Sequence, residues 1–191
     1  MSEIKYQNAQ KSQAADIADL IMTAMNDECC QYFYKPNHTA NDFRNMMIRL
    51  VEREDSQYSY KNTIVAVEDD KVVGAAVSYD GSQLHDLQKA FLEATRRDLQ
   101  RDFSSMQDET EPGELYLDSF AVVSGKRGHG IGSNLLKATM NKAKTMNIPN
   151  VGLLVDHGNP KAEKLYVANG FRFVNQNKWG GHAMKHLQKK I

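Results

Sequence analysis

Lys126-Arg127-Gly128-His129-Gly130-Ile131-Gly132-Ser133 is the most informative run of the chain, with Leu117-Asp118-Ser119-Phe120-Ala121-Val122 just before it. The apolar residues predict a strand. The residues after the glycines, 131–146, predict a helix, with Pro149 beyond its end. Glycines at such a junction let the backbone approach a ligand closely, and several amides can point at one anion. The helix N-terminus adds partial positive charge. Lys126 and Arg127 add more. The physical reading is a pyrophosphate cradle. The spacing is not that of a P-loop, which needs G-x-x-x-x-G-K-[ST]. Nor is it G-x-G-x-x-G, because the third position falls on Ser133 or on Leu135. The loop alone leaves a plain Gly-rich turn as the alternative.

The elements around this run set its context. Residues 151–156 predict an apolar strand, and Asn159 with Pro160 predicts the start of a helix that ends at Gly170. Residues 171–175 and 182–187 predict the last strands, joined by a turn at Trp179-Gly180-Gly181. On the N-terminal side, 4–8 predicts an edge strand. Ser12 predicts a helix cap before Ile17, Leu20, Ile21 and Ala24. Thr39 and Asp42 form a capping box ahead of the stripe Phe43, Met46, Met47, Leu50 and Val51. Residues 63–67 and 71–79 predict an antiparallel hairpin, and a helical stripe runs from Gln83 to about Met106. Strand–helix–strand units near the C-terminus require some parallel pairing, so the expectation is one α/β domain over residues 1–191.

Composition excludes several classes. The 191 residues hold 24 Lys+Arg and 24 Asp+Glu, so no overall positive field exists to recruit nucleic acid or an anionic membrane. The basic tail of Lys185, Lys189 and Lys190 is too small to argue for nucleic acid. The sequence shows neither a secretory signal nor an 18-residue apolar window. Cys29 and Cys30 are adjacent, which strains any disulfide between them, so they read as reduced thiols of a cytoplasmic protein.

The stretch from Leu115 to Phe173 resembles the GNAT family, the GCN5-related N-acetyltransferases. The resemblance rests on separated motifs in one order: the strand 117–122, Arg127-Gly128-His129-Gly130-Ile131-Gly132, the strand 151–155, Asn159, Ala162, Leu165-Tyr166 and Gly170-Phe171. It implies a mixed, V-splayed sheet flanked by helices, with acetyl-CoA held between the fourth and fifth strands. It also implies that the backbone of Phe120, Ala121 and Val122 pairs with the pantetheine arm. Amides from Arg127 to Gly132 would take the pyrophosphate, with Ser133 adding a hydroxyl and Asn159 touching the arm. Against the same pattern, the helix at 83–106 is an insertion between the third and fourth strands. It is expected to shape acceptor specificity.

Tyr166 matches the family's thiolate-facing tyrosine. A phenol of pKa about 10 is protonated at neutral pH and can donate to a leaving thiolate. The base is less well marked, since the aligned positions hold Tyr116 and Leu154. Period-two alternation puts Glu114, Tyr116, Asp118, Phe120 and Val122 on one face unless a bulge intervenes. Asp118 is the candidate base or amine binder. Asp156 lies further off, and a water chain would also serve. The acidic run Asp108, Glu109 and Glu111 could attract a cationic amine, although a solvated loop is the better account of these charges. His182 and His186 lack the HExxH context of a metal site, and no metal is expected. The implied activity is acetyl transfer to a small-molecule or peptide amine. A non-catalytic acyl-CoA sensor and an interaction protein on the same scaffold are the rivals. An exposed sheet edge leaves room for a homodimer.

Overall fold

The structure is a computed structural model that describes residues 3–191. Its centre is a seven-stranded sheet. The strands are β1 (Lys5–Asn8), β2 (Thr63–Glu68), β3 (Lys71–Asp80), β4 (Glu114–Val122), β5 (Asn150–Asp156), β6 (Arg172–Trp179) and β7 (His182–Lys190). They lie in the order β1-β2-β3-β4-β5-β7-β6. All neighbours are antiparallel except β4 and β5. This is the mixed, splayed sheet the resemblance implies.

β2 and β3 are apolar along almost their whole length because helices cover both faces. The hairpin between them closes on Asp69 and Asp70, both at positive φ. A two-residue loop of that hand matches the twist of its strands, and Asp tolerates the conformation.

Two apolar layers sandwich the sheet. On one face lie α1 (Ala14–Tyr34), α2 (Ala40–Glu52) and α3 (Leu84–Leu99). Ile17, Ile21, Phe33, Phe43, Met46, Met47 and Phe91 fill that layer, with Phe33 stacked on Phe43 at 5.8 Å. Each such burial is worth about 1.5–3 kcal/mol. The expected capping box is present, since Thr39 Oγ1 accepts from Asp42 N at 3.2 Å and Asp42 Oδ2 accepts from Thr39 N at 2.8 Å. On the other face α4 (Ile131–Thr145) packs Ile131, Leu135 and Leu136 against β2, β3 and β4. α5 (Pro160–Ala168) crosses near β5.

Three expectations need correction. Ser12 caps nothing: it sits inside a short 3-10 turn at Lys11–Gln13, ahead of α1. The third helix stops at Leu99, short of Met106, because Gln100 turns left-handed (φ 49, ψ 38). Asp102 Oδ1 then accepts from Ser104 N, which holds the following turn. Phe103 still reaches the α1–α2 layer, from a loop. Finally, the fourth strand does not alternate throughout. The β3–β4 register slips between Val77 and Ser78, leaving Asp118 without a partner on β3. Leu115 and Leu117 face the α4 layer before this bulge; Phe120 and Val122 face it after. Tyr116 and Asp118 therefore do not share a face with Phe120 and Val122.

Candidate active site

β4 and β5 pair over only three positions, Glu114↔Asn150, Leu115↔Val151 and Tyr116↔Gly152. Beyond them the strands diverge. The edge of β4 from Leu117 to Val122 and the end of β5 thus wall a cavity of about 730 Å³. The remaining walls come from the glycine loop, the start of α5, the middle of α1 and Trp179. α1 supplies its part through a break. Asn26 leaves helical geometry (φ 64, ψ 167) and its Oδ1 accepts from Cys29 N at 3.0 Å, which restarts the helix.

The glycine loop closes one end. Gly128 and Gly130 have φ of 81 and 79, and a Cβ built on either would meet nothing within 4 Å. Gly130 is the N-cap of α4, so no side chain caps that helix, and no acidic residue stands in its first turn. The first amides are left as free donors at the cavity edge. Arg127 Nε donates to Val122 O at 3.0 Å, tying the loop to the end of β4. Lys126 pairs with Glu68. Ile131, Gly132 and Ser133 line the cavity. Asn159 lines it too, while its Oδ1 caps α5 by accepting from Ala162 N at 3.2 Å. Phe120, Ala121 and Val122 form the β4 wall. His129 is the one predicted position outside the lining. Its ring is exposed and Nδ1 lies 2.9 Å from Arg127 O.

Tyr166, on α5, lines the cavity. It is 8% exposed, and its ring lies 6.0 Å from that of Phe120 and 5.8 Å from that of Phe171. Its hydroxyl has no hydrogen-bond partner among the described residues. Burial pushes the phenol above its ordinary pKa.

The other end is acidic. Asp118, released by the bulge, lines it together with Glu109 and Tyr116. Glu109 is 2% exposed, so it is no solvated loop residue. Gln57 Nε2 donates to Glu109 Oε1 at 2.9 Å and to Asp118 Oδ2 at 3.1 Å. Tyr79 OH donates to Glu109 Oε1 at 3.0 Å, and Ser119 Oγ donates to Asp118 Oδ1 at 2.8 Å. All of these donors are neutral. Burial and the charge of Asp118 push Glu109 well above the carboxylate range. Burial raises Asp118 to about 6, against the donations from Ser119 and Gln57. The sequence offers Glu109 only as one of the acidic run and cannot single it out, since its burial depends on the 100–113 loop folding onto Tyr79 of β3.

Other groups are structural. Glu114 is fully buried and accepts from Thr110 Oγ1 (2.6 Å), His186 Nε2 (2.9 Å) and Gln188 Nε2 (2.7 Å). Burial works against its ionised form, but these donors outweigh it and hold the carboxyl below its ordinary range. His182 Nδ1 pairs with Asp156 Oδ2 at 2.8 Å. Cys29 is buried on the cavity wall, where burial raises its thiol to about 12, so it is an unreactive wall atom. The turn at Gly180-Gly181 forms as expected, but Trp179 is half-buried and packs on Phe33 at 5.5 Å.

Comparison with known proteins places this geometry. Residues 22–171 match the acetyltransferase (GNAT) family. A solved acetyltransferase superposes with a TM-score of 0.78 and 28% identity, over 97% of this chain and 98% of its own. An N-acetyltransferase from Staphylococcus aureus Mu50 gives 0.81 and 20% identity, over 97% and 100%. A chain of the NatC complex bound to Gag peptide and CoA gives 0.59 and 17%, over 99% of each chain. No curated protein matches the sequence. No helix among the described residues is long and apolar enough to cross a membrane. With its family pattern spanning residues 22–171 and its sheet splayed between β4 and β5, the chain belongs to the acetyltransferase (GNAT) family.

Proposed function

We propose that this protein transfers the acetyl group of acetyl-CoA to a primary amine, which attacks the thioester directly while both are bound. One observation carries the reading: β4 and β5 part after three pairs, and the uncapped start of α4 faces the gap. An extended arm fits beside the free edge of β4, where Phe120, Ala121 and Val122 offer backbone donors and acceptors. A pyrophosphate fits the glycine loop. The space at Gly128 and Gly130, the free amides from Ile131 to Ser133 and the absence of an acid in the first turn all favour an anion there. Arg127, Ser133 and Asn159 add polar contacts from the rim. His129 faces away and is assigned a solvent or phosphate contact at most.

The donor supplies the electrophilic carbonyl; this chain's residues manage the protons. The amine nitrogen forms a bond to the carbonyl carbon and the carbon–sulfur bond breaks. Tyr166, protonated and with a free hydroxyl, donates to the departing thiolate. Asp118 stands as the carboxylate that receives the proton of the incoming ammonium. Tyr166→Phe tests the reading against a non-catalytic acyl-CoA sensor. Loss of turnover with acetyl-CoA binding intact supports the enzyme. Wild-type protein that binds acetyl-CoA but releases no CoA with any amine points to the sensor.

A further inference from the structure

The acidic end of the cavity raises a question of charge. Glu109 and Asp118 are held within reach of one amide group, and no lysine, arginine or histidine donates to either. The neighbouring titratable groups are Tyr58, Tyr79, Tyr116 and Asp108, so none brings a positive charge. Ionising both buried carboxyls without a counter-cation is costly, so the pair holds a proton when the site is empty, and a bound cation is what would let both ionise. A second observation points the same way. Gln57 is 1% exposed and spends both donations on the carboxylates, while its Oε1 has no partner. Tyr58 OH, also fully buried, has none either. The site therefore offers an incoming group acceptors and no cation. The cationic residues that line the cavity are Lys126, Arg127 and Lys161, all at the glycine-loop and α5 end.

We infer that Glu109 and Asp118, positioned by Gln57, form the ammonium site for the acceptor, and that the acceptor is a primary amine with no carboxylate beside its reacting nitrogen. The inference rests on the acetyltransferase reading and names its substrate class. An ammonium has three N–H donors and one positive charge, which suits two carboxylates on one cavity wall. An amino-acid acceptor would bring its own carboxylate to a site with two carboxylates and no cation, where like charges repel. The proton balance closes. The ammonium gives one proton to the carboxylate pair, the free amine attacks, and the carbon–sulfur bond breaks. A second N–H proton ends on the thiolate through Tyr166, and the carboxyl proton leaves to solvent. Gln57 is a positioning residue, since it touches the carboxylates and holds them together.

The test compares matched amines by thiol release: tyramine against tyrosine, and 2-phenylethylamine against phenylalanine. The carboxylate-free member of each pair is expected to show kcat/KM at least 100-fold higher. Glu109→Gln should lower kcat/KM for tyramine or 2-phenylethylamine at least 100-fold while leaving acetyl-CoA affinity unchanged. Gln57→Ala should lower kcat and move the acidic limb of the pH–rate profile to higher pH, because the carboxylates lose a donor; a purely structural role would leave that limb in place. Equal or better use of the amino acids overturns the inference. So does Glu109→Gln within threefold of wild type, or a protein that binds acetyl-CoA and acetylates none of the four. Failure to bind acetyl-CoA at all overturns the underlying reading instead.

Discussion

Tyr166 has one task in this account, and its geometry isolates that task. The ring is wedged by Phe120 and Phe171 and the hydroxyl is free. Tyr166→Phe keeps the ring, so acetyl-CoA affinity should hold while kcat falls about 100-fold or more, the usual worth of a general acid. Asp118 titrates in the opposite sense to an ordinary salt-bridged aspartate. Its folded pKa, about 6, lies above its unfolded value, so the folded state binds the proton more tightly. Its ionisation costs stability as pH rises from about 4 through about 6. Asp118→Asn should therefore raise the melting temperature at pH 8 by a few degrees, on the scale of about 2–4 °C per kcal/mol, and should remove catalysis. Thermal scans at pH 5 and pH 8 check this, with the gain expected only at the higher pH. The place of Tyr166 on the cavity wall was legible from its spacing to the Gly-Phe motif, whereas Asp118 was picked out only as a remaining carboxylate of the fourth strand, and the bulge rather than the expected alternation brings it to the cavity. Glu109 was legible only as one of three acidic loop residues. Its partners, Gln57 and Tyr79, are distant in sequence and their approach is a tertiary event.

At the scale of elements, the start of α4 and the end of β4 act together. Gly130→Asp puts a side chain at φ 79, which costs about 1–2 kcal/mol. It also puts negative charge where the donor's phosphates would lie. The expected outcome is a folded protein with acetyl-CoA affinity reduced beyond detection, read by a binding titration beside a circular dichroism melt. Thr39→Ala, at the capping box of α2, should cost about 1 kcal/mol in denaturant unfolding and leave turnover unchanged. Caps, hairpins and the glycine-loop helix could be read directly, because each is decided by neighbours within one turn of chain. The end of α3 and the bulge of β4 could not. Gln100 carries no breaker signal, and its left-handed turn is set by the loop that follows. The bulge at Asp118 is a property of the β3–β4 register, in which Lys142 also takes part by donating from α4 to Ser78 O (2.5 Å) and Asn62 O (3.0 Å).

At the scale of the molecule, the V between β4 and β5 must be held open at one end and closed at the other. Glu114 joins β4 to β7 and to the 100–113 loop at the closed end. Gly152 on β5 leaves room for its carboxylate, and a Cβ there would lie 1.8 Å from Glu114 Oε2. Gly152→Ala should destabilise the fold by about 2–4 kcal/mol, since it displaces a buried, hydrogen-bonded charge. Chemical denaturation reads that loss. The parallel pairing was legible from the strand–helix–strand order near the C-terminus, and the splay was what the family resemblance implied. The depth and charge of the acceptor end were not, because they arise where α1 breaks, the 100–113 loop folds inward and β4 bulges. The central claim is that the gap holds acetyl-CoA. Calorimetric titration of acetyl-CoA into the purified protein, beside dephospho-CoA and ATP, tests it most directly. The account predicts saturable one-site binding that Gly130→Asp removes; a folded wild-type protein that takes up no acetyl-CoA at millimolar concentration would contradict it.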